Sequence, residues 1–246
     1  MIDVVILTWN DGDRLAVAVR SALASVGVDV HVTVVDNGSA PPARVDDDPR
    51  VSLIRNVGNR GVAGGRNQGA RAGDRLLVCL LDSDARLHPH ALAVLSQPLA
   101  GDPSIALSVP VFTGQPPEAS AGKAPDVRRK LNRILNRCDG YEGTPRGDAD
   151  PYWDVDFGIG ACQLFRRSAY EQVGGIDESF FYGPEDADFC MRLKEAGWRV
   201  VQVAGADVDH PPRRRYRRVL TRRGAQHAAA VARFLWRHRH YQAHAS

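Results

Sequence analysis

The chain has 246 residues, of which 43% are hydrophobic and 25% charged, so it is long enough for one large folded domain and is not of the disordered class. Its net charge of +3 is uneven, because residues 211–246 contain ten Arg, four His and no acidic residue, which leaves 22 cationic against 29 acidic side chains for residues 1–210. The four cysteines show neither a Cys-x-x-Cys pair nor zinc-site spacing, which favours reduced, buried thiols over a disulfide framework.

The N-terminus shows no secretory signal pattern, because Asp3 interrupts it and the following apolar stretch has only the length of a strand. The longest apolar run, residues 76–81, is too short to cross a bilayer. We therefore predict a cytoplasmic protein with peripheral membrane contact through its basic end. Anionic lipid head groups, phosphates or an acidic face of the body all suit that end, and a solvated or dimer-forming helix is the alternative interpretation.

Short β-branched runs alternate with helical patterns through the first hundred residues. The predicted strands are Ile2–Thr8, Val30–Asp36, Val51–Arg55, Arg75–Asp82 and Ile105–Phe112, and the predicted helices are Asp13–Ala24, Gly64–Ala72 and Pro89–Leu99. This alternation indicates an α/β fold with a largely parallel sheet that helices cover on both faces. Ligands of such sheets bind at the carboxyl ends of the strands, so residues at those ends are the first candidates for a site.

The pattern weakens over residues 113–151, where Gly, Pro and cationic side chains dominate and one cationic helical patch covers Asp126–Arg137. A stretch of this length without structure of its own is typical of a functional lid. The predicted elements after it are strands at Ala161–Arg166 and Trp198–Val203, and helices at Ser168–Val173, Glu185–Ala196 and Ala225–Arg239.

Seven Asp-x-Asp triplets occur, so the triplet alone carries little information. Asp82-Ser83-Asp84 differs from the others because it directly ends the most apolar strand of the chain. Two carboxylates there repel each other unless a cation lies between them, which predicts a divalent metal ion shared with a diphosphate. The alternative is a turn that caps the following helix.

Two further strand-end features suit a nucleotide. Asp36 precedes an Asn-Gly turn, where its carboxylate either accepts a hydrogen bond from a pyrimidine imide or closes an Asx turn without a ligand. Glycines surround Arg66-Asn67, so the backbone there can approach a phosphate that Arg66 neutralises. Their spacing matches neither a Walker loop nor a dinucleotide-binding fingerprint.

Glu185-Asp186 opens a predicted helix after Pro184. Acids in a first turn complement the helix dipole, and a helix start also holds a carboxylate rigidly enough to act as a general base. His210 closes the next strand outside any apolar periodicity, which fits either a structural histidine or a metal ligand.

Together these blocks resemble the family-two inverting glycosyltransferases, in the branch that contains rhamnosyl- and galactofuranosyltransferases. The matching blocks are residues 4–10, 34–39, 55–58, 65–69, 81–85, 174–181, 185–189, 196–198 and 210. The resemblance implies a GT-A fold with one Rossmann-like, mostly parallel sheet over residues 1–210, followed by a basic helical tail at 211–246. Within that domain it implies a nucleotide-binding half at 1–112, a variable acceptor loop at 113–151 and a catalytic half at 152–210.

The resemblance also implies roles for individual residues. On the donor side, Thr8, Asn10 and Asp36 hold the nucleoside, Arg66 lies near the diphosphate, and Asn67 braces that loop. Asp82 and Asp84 bind the sugar nucleotide and its metal, and His210, 24 residues after Asp186, is a metal ligand. On the acceptor side, Asp186 is the catalytic base, and Glu185 beside it contacts acceptor or donor.

These roles imply an inverting transfer from a dTDP- or UDP-sugar to a hydroxyl acceptor, assisted by Mg²⁺ or Mn²⁺. The acceptor is a glycan, a lipid-linked sugar or a small natural product, and residues 113–151 align with no family pattern that narrows the choice. A nucleotidyltransferase is disfavoured, because no basic residue follows the first strand before Arg14. A non-catalytic module that binds nucleotide sugars or nucleic acid would leave the strand-end acids unexplained, and the Arg-rich tail lacks the interleaved aromatics of a base-stacking surface.

Overall fold

The computed structural model describes residues 1–113, 119–123, 150–210 and 222–239. Its strands are β1 (Ile2–Thr8), β2 (Val30–Asp36), β3 (Val51–Arg55), β4 (Leu77–Asp82), β5 (Arg86–Leu87), β6 (Ile105–Phe112), β7 (Ala121–Gly122), β8 (Tyr152–Asp154), β9 (Phe157–Gly158), β10 (Cys162–Arg166) and β11 (Arg199–Asp209). Its helices are α1 (Asp13–Leu23), α2 (Gly61–Ala72), α3 (Ala91–Gly101), α4 (Arg167–Gln172), α5 (Glu185–Glu195) and α6 (Arg222–Arg237).

One central sheet has the strand order β3-β2-β1-β4-β10-β6-β11-β5, with β8 paired to β11, while β7 and β9 form a separate pair. Strands β3, β2, β1 and β4 are parallel, as predicted for the N-terminal half. Strand β10 enters the middle of the sheet antiparallel to both β4 and β6. The α/β fold class is confirmed, and this inserted strand brings the second half of the chain directly beside β4.

The core lies in two layers, one on each face of the sheet. Side chains of β1 alternate between the layers, because successive residues of a strand point to opposite faces. Ile2, Val4 and Ile6 pack in one layer with residues of α1 and α3, whereas Val5 packs in the other layer with residues of α2, α5 and α6. Buried apolar runs and helical stripes thus account for the layered architecture.

Three elements begin or end three or more residues away from their predicted bounds. Strand β11 does not stop at Val203 but continues to Asp209. Its pairing with β6 shifts in register between Gln202 and Asp207, and Gly205, with φ of 72°, allows the backbone irregularity there. Helix α2 begins at Gly61, three residues earlier than predicted. Helix α6 covers Arg222–Arg237 in place of the predicted 225–239.

The predicted cationic helix at 126–137 and most of the predicted loop lie outside the described residues. Cys79, Cys162 and Cys190 are buried free thiols, in agreement with the prediction from cysteine spacing. Among the helices of the described ranges, none combines the length and the apolarity needed to cross a bilayer.

Candidate active site

Three strand ends lie side by side at one edge of the sheet. In the parallel register, Thr8 of β1 faces Asp36 of β2, and Leu7 faces Asp82 of β4. The backbone N–H of Asn37 donates to the carbonyl of Thr8 at 2.9 Å, which fixes the two strand ends together. The predicted nucleoside residues and the Asp82 triplet therefore share one edge, as the strand-end rule requires.

Asp36 is buried and closes a turn. Its two carboxylate oxygens accept hydrogen bonds from the backbone N–H groups of Ser39 and Ala43, each at 2.9 Å, and Arg55 lies 3.4 Å away. Burial alone would raise the pKa of Asp36, but these hydrogen bonds hold it below the ordinary value. The Asx turn considered from the sequence is thus present, and it fixes a charged carboxylate at the end of β2.

Asn10 holds the neighbouring loop in a constrained conformation. It has φ of 58°, a left-handed conformation that is uncommon outside glycine. Its backbone N–H donates to Ser39 Oγ at 3.0 Å, and its side-chain oxygen accepts from the Ala40 N–H at 2.8 Å. Asn10 therefore connects the β1 end to the Asp36 turn, and Thr8, the last residue of β1, is buried.

The structure gathers Asp82, Asp84 and His210 into one cluster. One ligand atom from each residue lies within 4.8 Å of the others, and His210 Nε2 is 3.8 Å from Asp84 Oδ1. The pairing of β11 with β5 causes this approach, because Asp209 lies opposite Arg86 and so brings His210 beside the end of the triplet. The His210 ring also packs on Phe112, with ring centroids 5.0 Å apart.

Arg66 lies behind this cluster and is only 5% exposed. Its guanidinium donates to Asp82 at 2.7 Å, to the carbonyl of Gly160 at 2.7 Å and to Glu185 at 3.3 Å. The resemblance predicted Arg66 near the diphosphate. The observed contacts join Asp82, at the end of β4, to Glu185, at the start of α5, and the diphosphate role stays a prediction.

Gly160 is a functional position that the sequence reasoning missed. Its carbonyl accepts from Arg66, and its N–H donates to Asp186 at 3.0 Å. One residue therefore contacts both the buried Arg66 guanidinium and the predicted base. A Cβ atom at this position would lie 2.3 Å from the Arg66 guanidinium, which excludes any larger residue without movement. Gly158-x-Gly160 directly before β10 was the available signal.

Glu185 and Asp186 have different environments although they are adjacent. Glu185 is 6% exposed, its Oε1 contacts Arg66, and its Oε2 is buried without a hydrogen-bond partner among the described residues. Asp186 is half-buried and accepts the Gly160 N–H. Burial and the charge of Asp186 raise the pKa of Glu185 to about 7, against the opposing charge of Arg66.

Asn67 is fully buried below the site. Its side-chain oxygen accepts from the Tyr170 hydroxyl and the Ile176 N–H, and its NH₂ group donates to the Ile176 carbonyl and to Glu178. An amide has about four hydrogen-bonding positions, and all four are occupied. Asn67 therefore braces the segment before α5 against α2, and its amide makes no surface available to a ligand.

Two other contacts near the site were not anticipated. Ser83 Oγ donates a hydrogen bond to Asp11, which connects the Asp82 triplet to the loop after β1. Asp188, one turn into α5, is fully buried and contacts Arg192 of the same helix, Arg237 at the end of α6 and His238 directly after α6. Both contacts join residues far apart in the chain, so local patterns did not indicate them.

Comparison with known families agrees with this geometry. Residues 3–174, well over half of the chain, match the model of Glycosyl transferase family 2, and residues 152–242 match Glycosyl transferase family group 2. The N-acetylglucosaminyl-diphospho-decaprenol L-rhamnosyltransferase of Mycobacterium tuberculosis is 28% identical over 85% of this chain and 76% of its own length. The pre-mycofactocin glycosyltransferase of the same organism is 31% identical over 79% of this chain and 40% of its own.

Solved structures show the same fold at low sequence identity. The structure of GalNAc-T7 with UDP, GalNAc and Mn²⁺ matches 90% of this chain with a TM-score of 0.69 and 16% identity. A mannosyltransferase from Pyrobaculum calidifontis, in complex with GDP-Man and Mn²⁺, matches 87% with a TM-score of 0.61 and 18% identity. This chain spans 46% and 58% of those two chains. It has the GT-A fold, and it belongs to glycosyl transferase family 2.

Proposed function

We propose that this chain is an inverting glycosyltransferase that transfers a sugar from a dTDP- or UDP-sugar to a hydroxyl acceptor. One juxtaposition carries the proposal. At a single sheet edge, the cluster of Asp82, Asp84 and His210 lies beside the Glu185–Asp186 pair, and Arg66 contacts both groups. The cluster suits a diphosphate donor, and the carboxylate pair suits removal of a proton from an acceptor.

The residues of the cluster fit a divalent cation. Two carboxylates and one imidazole offer three ligand atoms within 4.8 Å of one another, and a hard cation takes its remaining ligands from phosphate oxygens or water. Carboxylate oxygens suit both Mg²⁺ and Mn²⁺, whereas imidazole is a weaker ligand for Mg²⁺, so His210 favours Mn²⁺. When bound, the cation supplies positive charge that stabilises the departing nucleoside diphosphate.

Asp186 acts as the general base in this proposal. Its half-buried carboxylate is reachable by an acceptor hydroxyl, whereas Glu185 is enclosed behind Arg66. As the acceptor oxygen bonds to the anomeric carbon, its proton passes to Asp186, and the bond from that carbon to the diphosphate breaks on the opposite face. Configuration therefore inverts in one displacement, without a covalent enzyme intermediate.

Arg66 and Glu185 act as positioning residues between the two sides of the site. Arg66 fixes the orientation of Asp82 through the 2.7 Å contact, and it shields Asp82 and Glu185 from each other. The loops after β1 and β2 bind the nucleoside in this proposal, and Asp36 accepts a hydrogen bond from its pyrimidine base. Asp36 Oδ2 already accepts from Ala43 and from Arg55, whereas Oδ1 accepts the Ser39 N–H, so Oδ1 is the oxygen that we assign to an imide N–H.

A lipid-linked sugar is the acceptor class that we favour. The rhamnosyltransferase of M. tuberculosis is named for a diphospho-decaprenol acceptor, and the tail of this chain carries ten Arg without an acidic residue. Cations attract the anionic surface of a membrane that carries such acceptors.

The test is a panel of nucleotide sugars, with and without Mn²⁺, in which release of nucleoside diphosphate is followed. Asp84→Ala should lower turnover at least about a hundred-fold, as loss of a major electrostatic contact to the leaving group does. Asp46→Ala is the matched control, because Asp46 belongs to an exposed Asp-x-Asp triplet. Release of pyrophosphate would identify a nucleotidyltransferase instead, and full turnover of Asp84→Ala in excess EDTA would rule out the metal site.

A further inference from the structure

The inner face of the tail helix α6 is part of the core. Ala230 and Phe234 of α6 and His238, the residue directly after it, are four residues apart and are buried on one stripe, with Phe234 completely enclosed. The His238 N–H still donates to the Phe234 carbonyl at 3.0 Å, so it continues the helical pattern. Phe234 packs in the same layer as Phe180 and Phe189, which lie just before and within α5. The tail helix is therefore built onto the helix that begins with Glu185-Asp186, and its inner face is not solvated.

Asp188 is the centre of the contact between the two helices. Its fully buried carboxylate accepts from Arg192 at 2.8 Å within α5, and from Arg237 at 2.9 Å and His238 at 3.0 Å in the tail. Arg192 also donates to the carbonyls of Val173 and Gly175, which precede α5. A buried carboxylate needs such partners to remain ionised, so α5 depends on the tail for two of three cationic contacts.

His238 joins two carboxylates of α5. Its Nδ1 lies 2.7 Å from Glu195 and its Nε2 lies 3.0 Å from Asp188. Because carboxylates only accept, both ring nitrogens must carry protons for both bonds to form, which requires the imidazolium. Burial opposes that charge, but the bonds to Asp188 and Glu195 raise the pKa of His238 above its ordinary value.

The tail also contacts the segment that leads into α5. Arg237 contacts Asp177 at 2.6 Å, and Arg233 donates to the carbonyl of Ser179 at 3.0 Å. On its other side this segment is bound to α2, because the Val62 N–H donates to the carbonyl of Phe181 at 2.8 Å. The chain before Glu185 thus lies between two helices, only one of which belongs to the nucleotide-binding half.

We propose that α6, together with His238 directly after it, is a positioning element of the active site. Arg237 and His238, through Asp188 and Asp177, set the direction in which α5 presents Asp186 to the acceptor. The inference rests on the proposed function, because it assigns Asp186 to the reaction. It extends that function by making a basic helix near the end of this chain a requirement for catalysis.

His238 makes this positioning dependent on pH. His238 contacts the carboxylates of Asp188 and Glu195. The other charged groups of this cluster are Arg192 and Arg237, which also bind Asp188, and Asp177, which binds Arg237. A raised pKa means that the contribution to stability is complete below the ordinary value of 6.5 and is lost as pH rises through the folded value. Turnover of the unmodified protein should therefore fall over that upper range.

The test compares His238→Gln with the unmodified protein. His31→Gln is the matched control, because His31 lies at the start of β2, at the end of the strand away from the site, and its side chain bonds Ser52 of β3. His238→Gln should lower kcat about ten- to a hundred-fold, as small misplacement of a reacting group does, with donor affinity unchanged. It should also lose the fall in turnover at higher pH, and amides of residues 177–188 should exchange hydrogen faster.

Arg237→Gln serves as a second variant if His238→Gln fails to fold, because it retains the His238 contacts and removes the ion pairs of Arg237 with Asp177 and Asp188. Unchanged kcat and unchanged exchange in the folded variants would overturn the proposal, even if the melting temperature falls. If the unmodified protein turns over no donor in the panel, the proposed function fails, while the exchange measurement still decides whether α6 restrains α5.

Discussion

The two sides of the site are built in different ways. On the nucleoside side, Asp36 is bonded by Ser39 and Ala43, three and seven residues away in the chain. On the acceptor side, the contact from Arg66 to Glu185 joins residues 119 apart. A local turn survives small movements of the helices, whereas a contact between distant elements does not. We therefore expect the acceptor side to be the more sensitive to substitution.

Ionisation differs in the same way. Asp36 and Glu185 are both buried, and burial raises the pKa of each carboxyl. Asp36 receives backbone N–H groups on both oxygens and lies near Arg55, so its pKa falls below the ordinary value. At Glu185, burial and the charge of the adjacent Asp186 outweigh Arg66 and the backbone hydrogen bonds, so its pKa rises to about 7. The neighbouring carboxylate, which Asp36 lacks, is the difference between the two buried groups.

The largest effect should come from Asp186→Asn. We expect donor affinity close to normal and a fall in kcat of about three orders of magnitude, within the usual contribution of a general base. Glu185→Gln should act mainly through binding, seen as a raised KM, because Glu185 touches Arg66 and not an accessible surface. Steady-state kinetics with a separate donor titration would measure both.

The opposite result would reassign the base. If Asp186→Asn retains most of its turnover and Glu185→Gln loses it, then Glu185, whose pKa of about 7 also suits proton transfer, takes the proton.

A smaller effect is expected from Gly160→Ala, which tests the long-range contacts of Arg66 without removing a charged side chain. The new methyl group would lie 2.3 Å from the Arg66 guanidinium and must displace it from Asp82 and Glu185. We expect a loss of about 1–3 kcal/mol in the free energy of unfolding and a fall in kcat, from denaturant titration and kinetics. Gly101→Ala is the control, since its Cβ would meet nothing within 4 Å. Equal effects of the two substitutions would contradict the role of Arg66.

The smallest effect concerns the outer face of the tail. Trp236 is 69% exposed, and Arg239 lies over its ring at 4.8 Å, whereas Arg237 and His238 contact the body. The double variant Trp236→Ala and Arg239→Gln should weaken binding to vesicles of phosphatidylglycerol and phosphatidylcholine about fivefold, more at low salt. These substitutions leave the inner face of the tail helix intact, whereas truncation after Pro212 would remove the whole helix and its contacts with α5. Equal sedimentation would leave α6 as a packing or dimer helix.

Local pattern was sufficient for most elements of the described chain and insufficient where the sheet departs from a regular register. Strands β1, β2, β3 and β6 match their predicted bounds, because each is a short buried run between turn residues. The predicted end of β11 was wrong by six residues, because Ala204-Gly205 resembles the end of a strand, whereas the structure continues the strand through a shift in register. A period-two pattern does not reveal such a continuation.

The sequence by itself determined the fold class, the strand ends at which a ligand is expected and the acids placed there, since each depends on neighbouring residues and on the polarity of a parallel sheet. Only the tertiary structure decided that Arg66 is buried between Asp82 and Glu185, that β5 brings His210 to Asp84, and that the basic tail contacts Asp188. The physical reason is that these contacts join elements far apart in the chain. Strand register and helix packing set their geometry, and no local periodicity encodes either.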